Sequence, residues 1–265
     1  MLSDVDLKLL LDRLDLTWEG YRRVRKGVKK RLFRRLKELG LTSWTEYLNL
    51  VDSDPRIRTE ARRSITVSIS RLYRDAVLWR LLEDEILPEL FIRDDIRAWS
   101  AGCAGGEEVY SLKMVYDLLK GRHSRVPDLQ IIATDLNPAC LDRARAGLYT
   151  AGGLKEVPES PRSMYFRKER RGGLYRVDDR LKEGLTWLEH DLIHDPPPGV
   201  FDLIFMRNNV FTYYRRGLQE KALRAAVESL ASGGFLIIGL KEGLPAAPPA
   251  LETYSGLAWV WRKTG

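Results

Sequence analysis

From Ile96 to Gly239 the chain repeats one grammar, in which a short apolar run is followed by a stretch of helical spacing and then by another apolar run. The apolar runs are Ile96–Trp99, Leu129–Ala133, Leu185–Leu188, Phe201–Phe205 and Phe235–Gly239, and helices are expected at Glu107–Lys120, Pro138–Ala146 and Arg216–Ala231. Strands covered on both faces read as unbroken apolar runs, and parallel neighbours need a long crossover, usually a helix. The alternation therefore restricts this part of the chain to an α/β domain with a mostly parallel sheet covered by helices. Residues 151–180 break the grammar. They are rich in Gly, Pro, Arg and Lys, and two strand candidates, Met164–Arg167 and Leu174–Val177, flank the polar link Lys168–Gly173. A small β-hairpin inserted into the α/β domain is expected there.

Before Ile96 the pattern is helical. Val24, Val28, Leu32, Leu36 and Leu39 share one face, while ten Lys and Arg between Arg22 and Lys37 cover the rest of that helix. Gly40 is the expected stop, and Thr42 or Ser43 can cap a further helix through Tyr47 and Leu50. Asp52–Pro55 interrupts, a short helix follows to Arg63, and Ile65–Ser70 reads as an extended connector. Asp75–Leu90 is expected to be a helix burying Val77, Leu78, Leu81, Leu82, Ile86 and Leu87. The expected organisation is a basic all-α N-terminal domain over 1–66, a connector and linking helix over 67–90, and the α/β domain over 91–265.

Charge is concentrated at the start. Residues 1–66 hold 16 Lys and Arg against 10 Asp and Glu, a net of +6, out of +7 for the whole chain. Such a block either solvates a helix face or steers an acidic partner or a nucleic acid toward the protein. No apolar run approaches the roughly 18–20 residues of a membrane span, and the early acids after Met1 do not read as a secretory signal. Cys103 and Cys140 give neither a disulfide framework nor zinc spacing. A cytoplasmic, reduced protein is expected, without membrane insertion.

The segment richest in chemistry is Ala98-Trp-Ser-Ala-Gly-Cys-Ala-Gly-Gly-Glu-Glu108, a strand running into a glycine turn and then a helix. Glycines let backbone approach a ligand, and a helix start offers unpaired N–H groups. Ala101 stands where a dinucleotide fingerprint would have its first glycine, and Glu107 and Glu108 would repel a pyrophosphate. Acids at this place suit a cationic, hydroxyl-rich ligand instead, such as S-adenosylmethionine; the plainer alternative is a helix dipole offset by two glutamates. Asp135, closing the run Ile131–Asp135, stands where an acid commonly accepts from ribose hydroxyls, although it could also cap the next helix. His190 and His194 are four apart beside a strand end and Pro196, where they would not share a helix face, so no metal site is expected.

Taken with Ala133-Thr-Asp-Leu-Asn137, Ala144–Tyr149, Phe201-Asp-Leu-Ile-Phe-Met-Arg-Asn208 and Ser232–Leu236, the glycine-turn segment resembles the CheR family. Its members transfer a methyl group from S-adenosylmethionine to glutamate side chains of bacterial chemoreceptors and release S-adenosylhomocysteine. The order of basic helices, connector and inserted hairpin is also similar, so the resemblance covers almost the whole chain. It implies a Rossmann-like methyltransferase domain, and it implies roles. Gly102, Gly105 and Glu108 would hold the methyl donor, Asp135 the ribose, and Asp191 and Leu192 would lie beside the adenine. Arg207 and Asn208 would line the pocket. The connector Ser68–Arg74 resembles the family segment that places Ser68 and Ser70 on the donor and Arg74 beside the substrate carboxylate. A tyrosine after Arg-Asn is expected to face the reaction; Tyr213 is preferred, with Tyr214 as its competitor.

Several positions depart from the family pattern. Ser68 and Ser70 replace Asn and Thr, and Asp191 replaces Asn. The stretch Arg207–Tyr214 is one residue longer, and Leu240-Lys-Glu242 stands for His-Ser-Glu. These mark a side branch, and the implied partner is an acidic helical protein of chemoreceptor type. The basic helix lacks interleaved aromatics, which argues against nucleic acid. A small-molecule or RNA methyltransferase on the same scaffold, or a donor-binding regulatory module without catalysis, are the alternatives.

Overall fold

The structure is a computed structural model that describes residues 2–68, 70–193 and 199–265. Five helices come first: α1 Asp4–Arg13, α2 Trp18–Tyr21, α3 Arg25–Glu38, α4 Trp44–Ser53 and α5 Pro55–Ile65. Their ends are written in the sequence. Ser3 and Asp6 form a capping box, Thr17 and Ser43 accept from Gly20 and Glu46 N–H groups, and Asp54 caps α5 with Pro55 at its first position. Ser43, not Thr42, is thus the cap of α4. Gly40, at φ +69°, turns the chain after α3. Val28, Leu32 and Leu36 are buried with Leu7, Leu10, Leu11, Tyr47, Val51, Ala61 and Ile65 in one apolar cluster.

The linking helix runs as α6 Ala76–Leu81, a π turn Leu82–Ile86 and α7 Leu87–Leu90. Leu87 N–H donates to the Leu82 carbonyl in the wider π register, and Pro88, having no N–H, cannot continue the α register. Five of the six expected core residues are buried here. Val77 is 52% exposed instead, because it points away from the sheet that covers the others.

The α/β part comprises β1 Asp95–Ala101, α8 Glu107–Lys120, β2 Asp128–Asp135, α9 Pro138–Ala146, β3 Leu148–Thr150, α10 Glu159–Tyr165, β4 Phe166–Lys168, β5 Leu174–Val177, β6 Leu185–Glu189, β7 Phe201–Met206, α11 Val210–Tyr213, α12 Arg216–Glu228, β8 Leu230–Ile238, β9 Leu251–Tyr254 and β10 Leu257–Lys263. Seven strands form one sheet in the order β6-β2-β1-β7-β8-β10-β9. All pairs are parallel except β8–β10 and β10–β9. Two apolar clusters cover its faces, one beneath α6–α8 and the other beneath α11 and α12. This is a Rossmann-like α/β architecture.

Three details differ from the sequence reading. The inserted unit is a three-stranded antiparallel sheet, β3-β5-β4, so the hairpin β4–β5 gains a partner from Leu148–Thr150. Met164 and Tyr165 belong to helix α10, not to a strand, since Pro158 and Glu159 start a helical turn that ends only at Phe166. The antiparallel hairpin β9–β10 has no counterpart among the expected strands. His194 and Pro196–Pro198 lie outside the described residues.

Candidate active site

A cleft opens at the carboxyl ends of β1, β2, β6 and β7, where the strand order reverses about β1 and α/β sheets place their ligands. Ser70, Arg74, Gly102, Glu108, Asp135, Asp191, Leu192, Arg207, Asn208 and Tyr213 all line it. Ser68 and Gly105 are not among the described residues that do. The Ser68 hydroxyl accepts from Cys140 Sγ at 3.3 Å, and the Gly105 carbonyl accepts from the Tyr149 hydroxyl at 2.7 Å.

The glycine turn forms one wall. Gly102 N and Cys103 N both donate to the Thr134 carbonyl, tying the end of β1 to the end of β2. Gly102 sits at φ +81°, and a Cβ built there would lie 1.9 Å from Asn209 Nδ2. Asn209 in turn donates to the Ala101 carbonyl at 2.8 Å, so a side chain at 102 would displace the residue that braces the turn. Asp135 is 5% exposed; its two carboxylate oxygens accept from Ala104 N at 2.9 Å and Asn137 N at 2.8 Å. Burial raises its carboxyl above the usual range, and these two N–H groups and Arg143 pull it back. Each oxygen keeps a lone pair for a ligand hydroxyl.

Arg207 occupies the floor at 8% exposure. Nη1 lies 3.0 Å from Glu108 Oε2 and Nη2 lies 2.6 Å from Asp75 Oδ2, while the guanidinium carbon sits 5.8 Å from the Trp79 ring centroid. Two carboxylates and an aromatic face neutralise a cation that would otherwise be costly to bury. Glu108 Oε1 also accepts from Ser100 Oγ at 2.7 Å. Arg207 is therefore a structural cation, and its pairing fixes Glu108 at the start of α8.

Arg74 is presented differently. Its side chain is 39% exposed, and Nη2 donates to Asn208 Oδ1 at 3.1 Å. It stands between Tyr73 and Asp75, both at positive φ (57° and 64°). Ser111 Oγ accepts from Tyr73 N at 2.8 Å, and the Arg74 carbonyl accepts from Trp79 Nε1 at 2.9 Å. Ala104 and Asn208 also have positive φ, so four of the six such non-glycine residues among the described ones surround this cleft. Strain of this kind persists only where surrounding contacts enforce it.

The helical N-terminal part closes one flank. Tyr21, Thr66 and Val67 line the cleft, and Tyr21 packs on Tyr213 with ring centroids 5.0 Å apart. Arg62 Nη1 lies 3.2 Å from Asp191 Oδ2, and Arg63 donates to the Leu136 carbonyl at 3.2 Å and pairs with Glu189. Thr17 N donates to the Tyr213 carbonyl at 2.8 Å, and a Cβ at Gly20 would come within 2.5 Å of the Thr212 carbonyl. Both tyrosines of the extended Arg207–Tyr214 stretch line the cleft. Burial raises both phenols, Tyr214 to about 12 with Arg62 opposing, and Tyr213 with Arg74 opposing, so each keeps its proton at neutral pH.

Sequence reasoning did not single out Tyr21, Thr66, Val67, Asn209 or Glu242. Tyr21 lies in a segment whose only signal was helical spacing, and Thr66 and Val67 lie in the stretch read as an extended connector. Glu242 stands in a motif position, yet its contacts depend on how the loop after β8 folds back. Among the described residues no helix is long and apolar enough to cross a membrane, and no group of His, Cys, Asp and Glu is placed to hold a metal.

The donor set of Asp135, Glu108 and the Cβ-less turn suits a ligand offering hydroxyls and a cationic amine, which are the groups of S-adenosylmethionine. Comparison with known proteins agrees. Residues 68–258 match the family described as CheR methyltransferase, SAM binding domain. The chain is 34% identical over 224 residues to a probable chemotaxis protein methyltransferase of Rhizobium etli, covering 81% of this chain and 83% of that one. It is 29% identical over 250 residues to a putative methyltransferase, Cher3, of Pseudomonas putida, covering 91% and 90%. A third relative is an uncharacterized 104.1 kDa protein of Rhodobacter capsulatus, 29% identical over 239 residues; the match spans 89% of this chain but only 25% of that protein. With the family match covering 191 of its 265 residues and the donor-type cleft at the switch point of its sheet, this chain belongs to the CheR family of S-adenosylmethionine-dependent methyltransferases.

Proposed function

We propose that the chain methylates glutamate side chains on an acidic helical protein of chemoreceptor type, forming glutamyl methyl esters in the cytoplasm. The observation that carries this reading is the pose of Arg74: a half-exposed guanidinium at the cleft mouth, held by Asn208 and by strained backbone on either side. A planar guanidinium orients a carboxylate by paired hydrogen bonds. S-adenosylmethionine, when bound, supplies a methyl group on a sulfonium. A glutamate with pKa near 4.3 is already ionised at neutral pH, so the protein has to align the nucleophile and strip its water, not deprotonate it.

The roles proposed for the chain's residues are supported by the donors and acceptors that line the cleft. Asp135 accepts from the donor's ribose hydroxyls, while Gly102 lets the backbone approach and Glu108 faces the cationic amine. Ser70, Asp191 and Leu192 complete the donor side, Arg74 holds the acceptor carboxylate, and Tyr213 offers its phenolic hydroxyl to the same group. Ser68 and Gly105, resting on Cys140 and Tyr149, support this wall from behind.

Helix α3 supplies the docking charge. Of its basic residues and those just before it, Arg25, Lys29 and Arg35 pair with Asp4 or Glu38, and Arg31 holds the Ser64 and Thr66 carbonyls. Arg22, Arg23, Lys26, Lys30, Arg34 and Lys37 remain exposed and can steer an acidic helix. The chemotaxis names of several relatives support the same partner class.

The test is transfer of label from methyl-tritiated donor to a chemoreceptor cytoplasmic fragment, followed by mild alkali. Base-labile label on the fragment, released as methanol, is expected. Label appearing in RNA or in a small molecule, and none in the fragment, would overturn the assignment.

A further inference from the structure

Glu242 receives four hydrogen bonds and all of them come from the two segments that frame the acceptor side of the cleft. Oε2 accepts from Asn208 N and Gly239 N, each at 2.7 Å. Oε1 accepts from Asn209 N at 3.2 Å and from the Thr212 hydroxyl. These contacts fasten the stretch between Arg207 and Tyr213, which includes Asn208 at φ +53° and the start of α11. A second, independent observation concerns Gly239. A Cβ there would lie 2.6 Å from Glu242 Oε2 and 3.1 Å from Asn208 Oδ1, so the last turn after β8 leaves room for that carboxylate and that amide together. Asn208 Oδ1 is the atom that accepts from Arg74 Nη2.

The geometry points to Glu242 as a positioning residue for methyl transfer: its carboxylate, seated against Gly239, sets the Asn208–Tyr213 turn so that Arg74 and Tyr213 meet the acceptor carboxylate in register. This rests on the acceptor-side roles proposed for Arg74 and Tyr213. The donor side has fastenings of its own, Asp135 with Ala104 and Asn137 and Asp191 with Arg62 and Ile193, and it meets this turn at Asn209, whose side chain bonds the Ala101 carbonyl. Loss of the Glu242 charge is therefore felt more in turnover than in donor binding. Four donors that converge on one carboxylate cannot be satisfied by an amide, whose nitrogen is itself a donor.

The decisive experiment measures kcat, acceptor KM and S-adenosylhomocysteine affinity for the full chain carrying Glu242→Gln, Gly239→Ala or Thr212→Val. Glu242→Gln is expected to lower kcat roughly 10²-fold, the scale of a misaligned reacting pair, with product affinity changed far less. Gly239→Ala, which displaces the carboxylate without removing it, should reproduce that split. Thr212→Val removes one donor and should cost less, and it should be non-additive with Glu242→Gln. Equal kcat in wild type and Glu242→Gln overturns the inference, as does a fall in product affinity that matches the fall in kcat. If Glu242→Gln does not fold, Gly239→Ala and Thr212→Val decide by the same split. A wild type that methylates some other acceptor overturns the glutamate assignment, and the kcat ratio on that acceptor still decides Glu242. A wild type that transfers to nothing overturns both.

Discussion

Arg62 in the last turn of α5 reaches Asp191 at the opposite rim of the cleft, 3.2 Å from guanidinium to carboxylate, and so joins the helical N-terminal part to the donor side of the α/β part. The pair is largely shielded, with side-chain exposures of 12% and 28%. Arg62→Ala is expected to weaken S-adenosylhomocysteine binding by about 1 kcal/mol, roughly fivefold in Kd, because Asp191 loses the charge that orients it. Isothermal titration at low and high salt checks this. A wild-type-like affinity in the variant would remove Arg62 from the donor pocket's design.

The roles proposed for Arg74 and Asp135 separate the two halves of the reaction. Asp135→Ala should abolish detectable donor binding, since it removes the proposed ribose acceptor and leaves Ala104 N and Asn137 N without a partner. Arg74→Ala should bind product normally and lose turnover, by roughly 10²-fold or more. Arg74→Lys should recover little, since a point charge does not reproduce the paired hydrogen bonds. Binding calorimetry beside single-turnover transfer distinguishes these outcomes.

Gly102→Ala tests the turn. The added methyl would stand 1.9 Å from Asn209 Nδ2, at a φ of +81° that side chains rarely adopt. A melting temperature several degrees lower and loss of donor binding are expected. Removing the Asn209 side chain as well should not restore the melting temperature fully, because the backbone strain persists.

Glu107 gives a pH signature. Burial raises its carboxyl above the ordinary value, its own N–H and that of Gly105 and the Arg143 charge oppose the rise, and Oε2 has no hydrogen-bond partner among the described residues. A carboxyl raised on folding binds its proton more readily in the native state than in the unfolded chain. Stability is therefore lost as pH rises from the unfolded value through the folded one, and the cost persists above it. Glu107→Gln carries no such cost, so it should melt above wild type at pH 7. The difference should close below about pH 4.3, where the unfolded glutamate is also protonated. Thermal scans from pH 4 to 8 decide it; a difference that grows on acidification would contradict the sign.

Steering by α3 predicts a salt-sensitive acceptor KM. Reversing Arg23, Lys26 and Lys30 to Glu should raise that KM at low ionic strength and leave product affinity alone, with the gap shrinking as salt screens the surface.

What the sequence made legible, and what it did not, follows physical lines. The helices Glu107–Lys120 and Pro138–Ala146 match their expected bounds residue for residue, because glycine, proline and Asn137 mark their ends. Arg216–Glu228 stops three residues short of expectation, where Leu230 already enters β8. Strand β10 escaped because its exposed and half-buried residues, with two tryptophans among charges, lack the unbroken apolar run of the central strands. The cleft residues at strand ends were readable since a motif places them next to a turn. Tyr21 was not, because only the docking of α2 on α11 brings it to the cleft. Nor was Glu242, whose four hydrogen bonds come from two segments that only the fold brings together.

The closed flank built by α1–α5 carries a practical lesson for engineering. Strip those helices away and the groove becomes a shelf, drained into bulk solvent along one side although every strand beneath it survives. A chimera that borrows another protein's helical module to retarget the acceptor would, in the same operation, rebuild part of the vessel that retains the methyl donor. Retargeting and cofactor residence time in this protein are therefore inherited together.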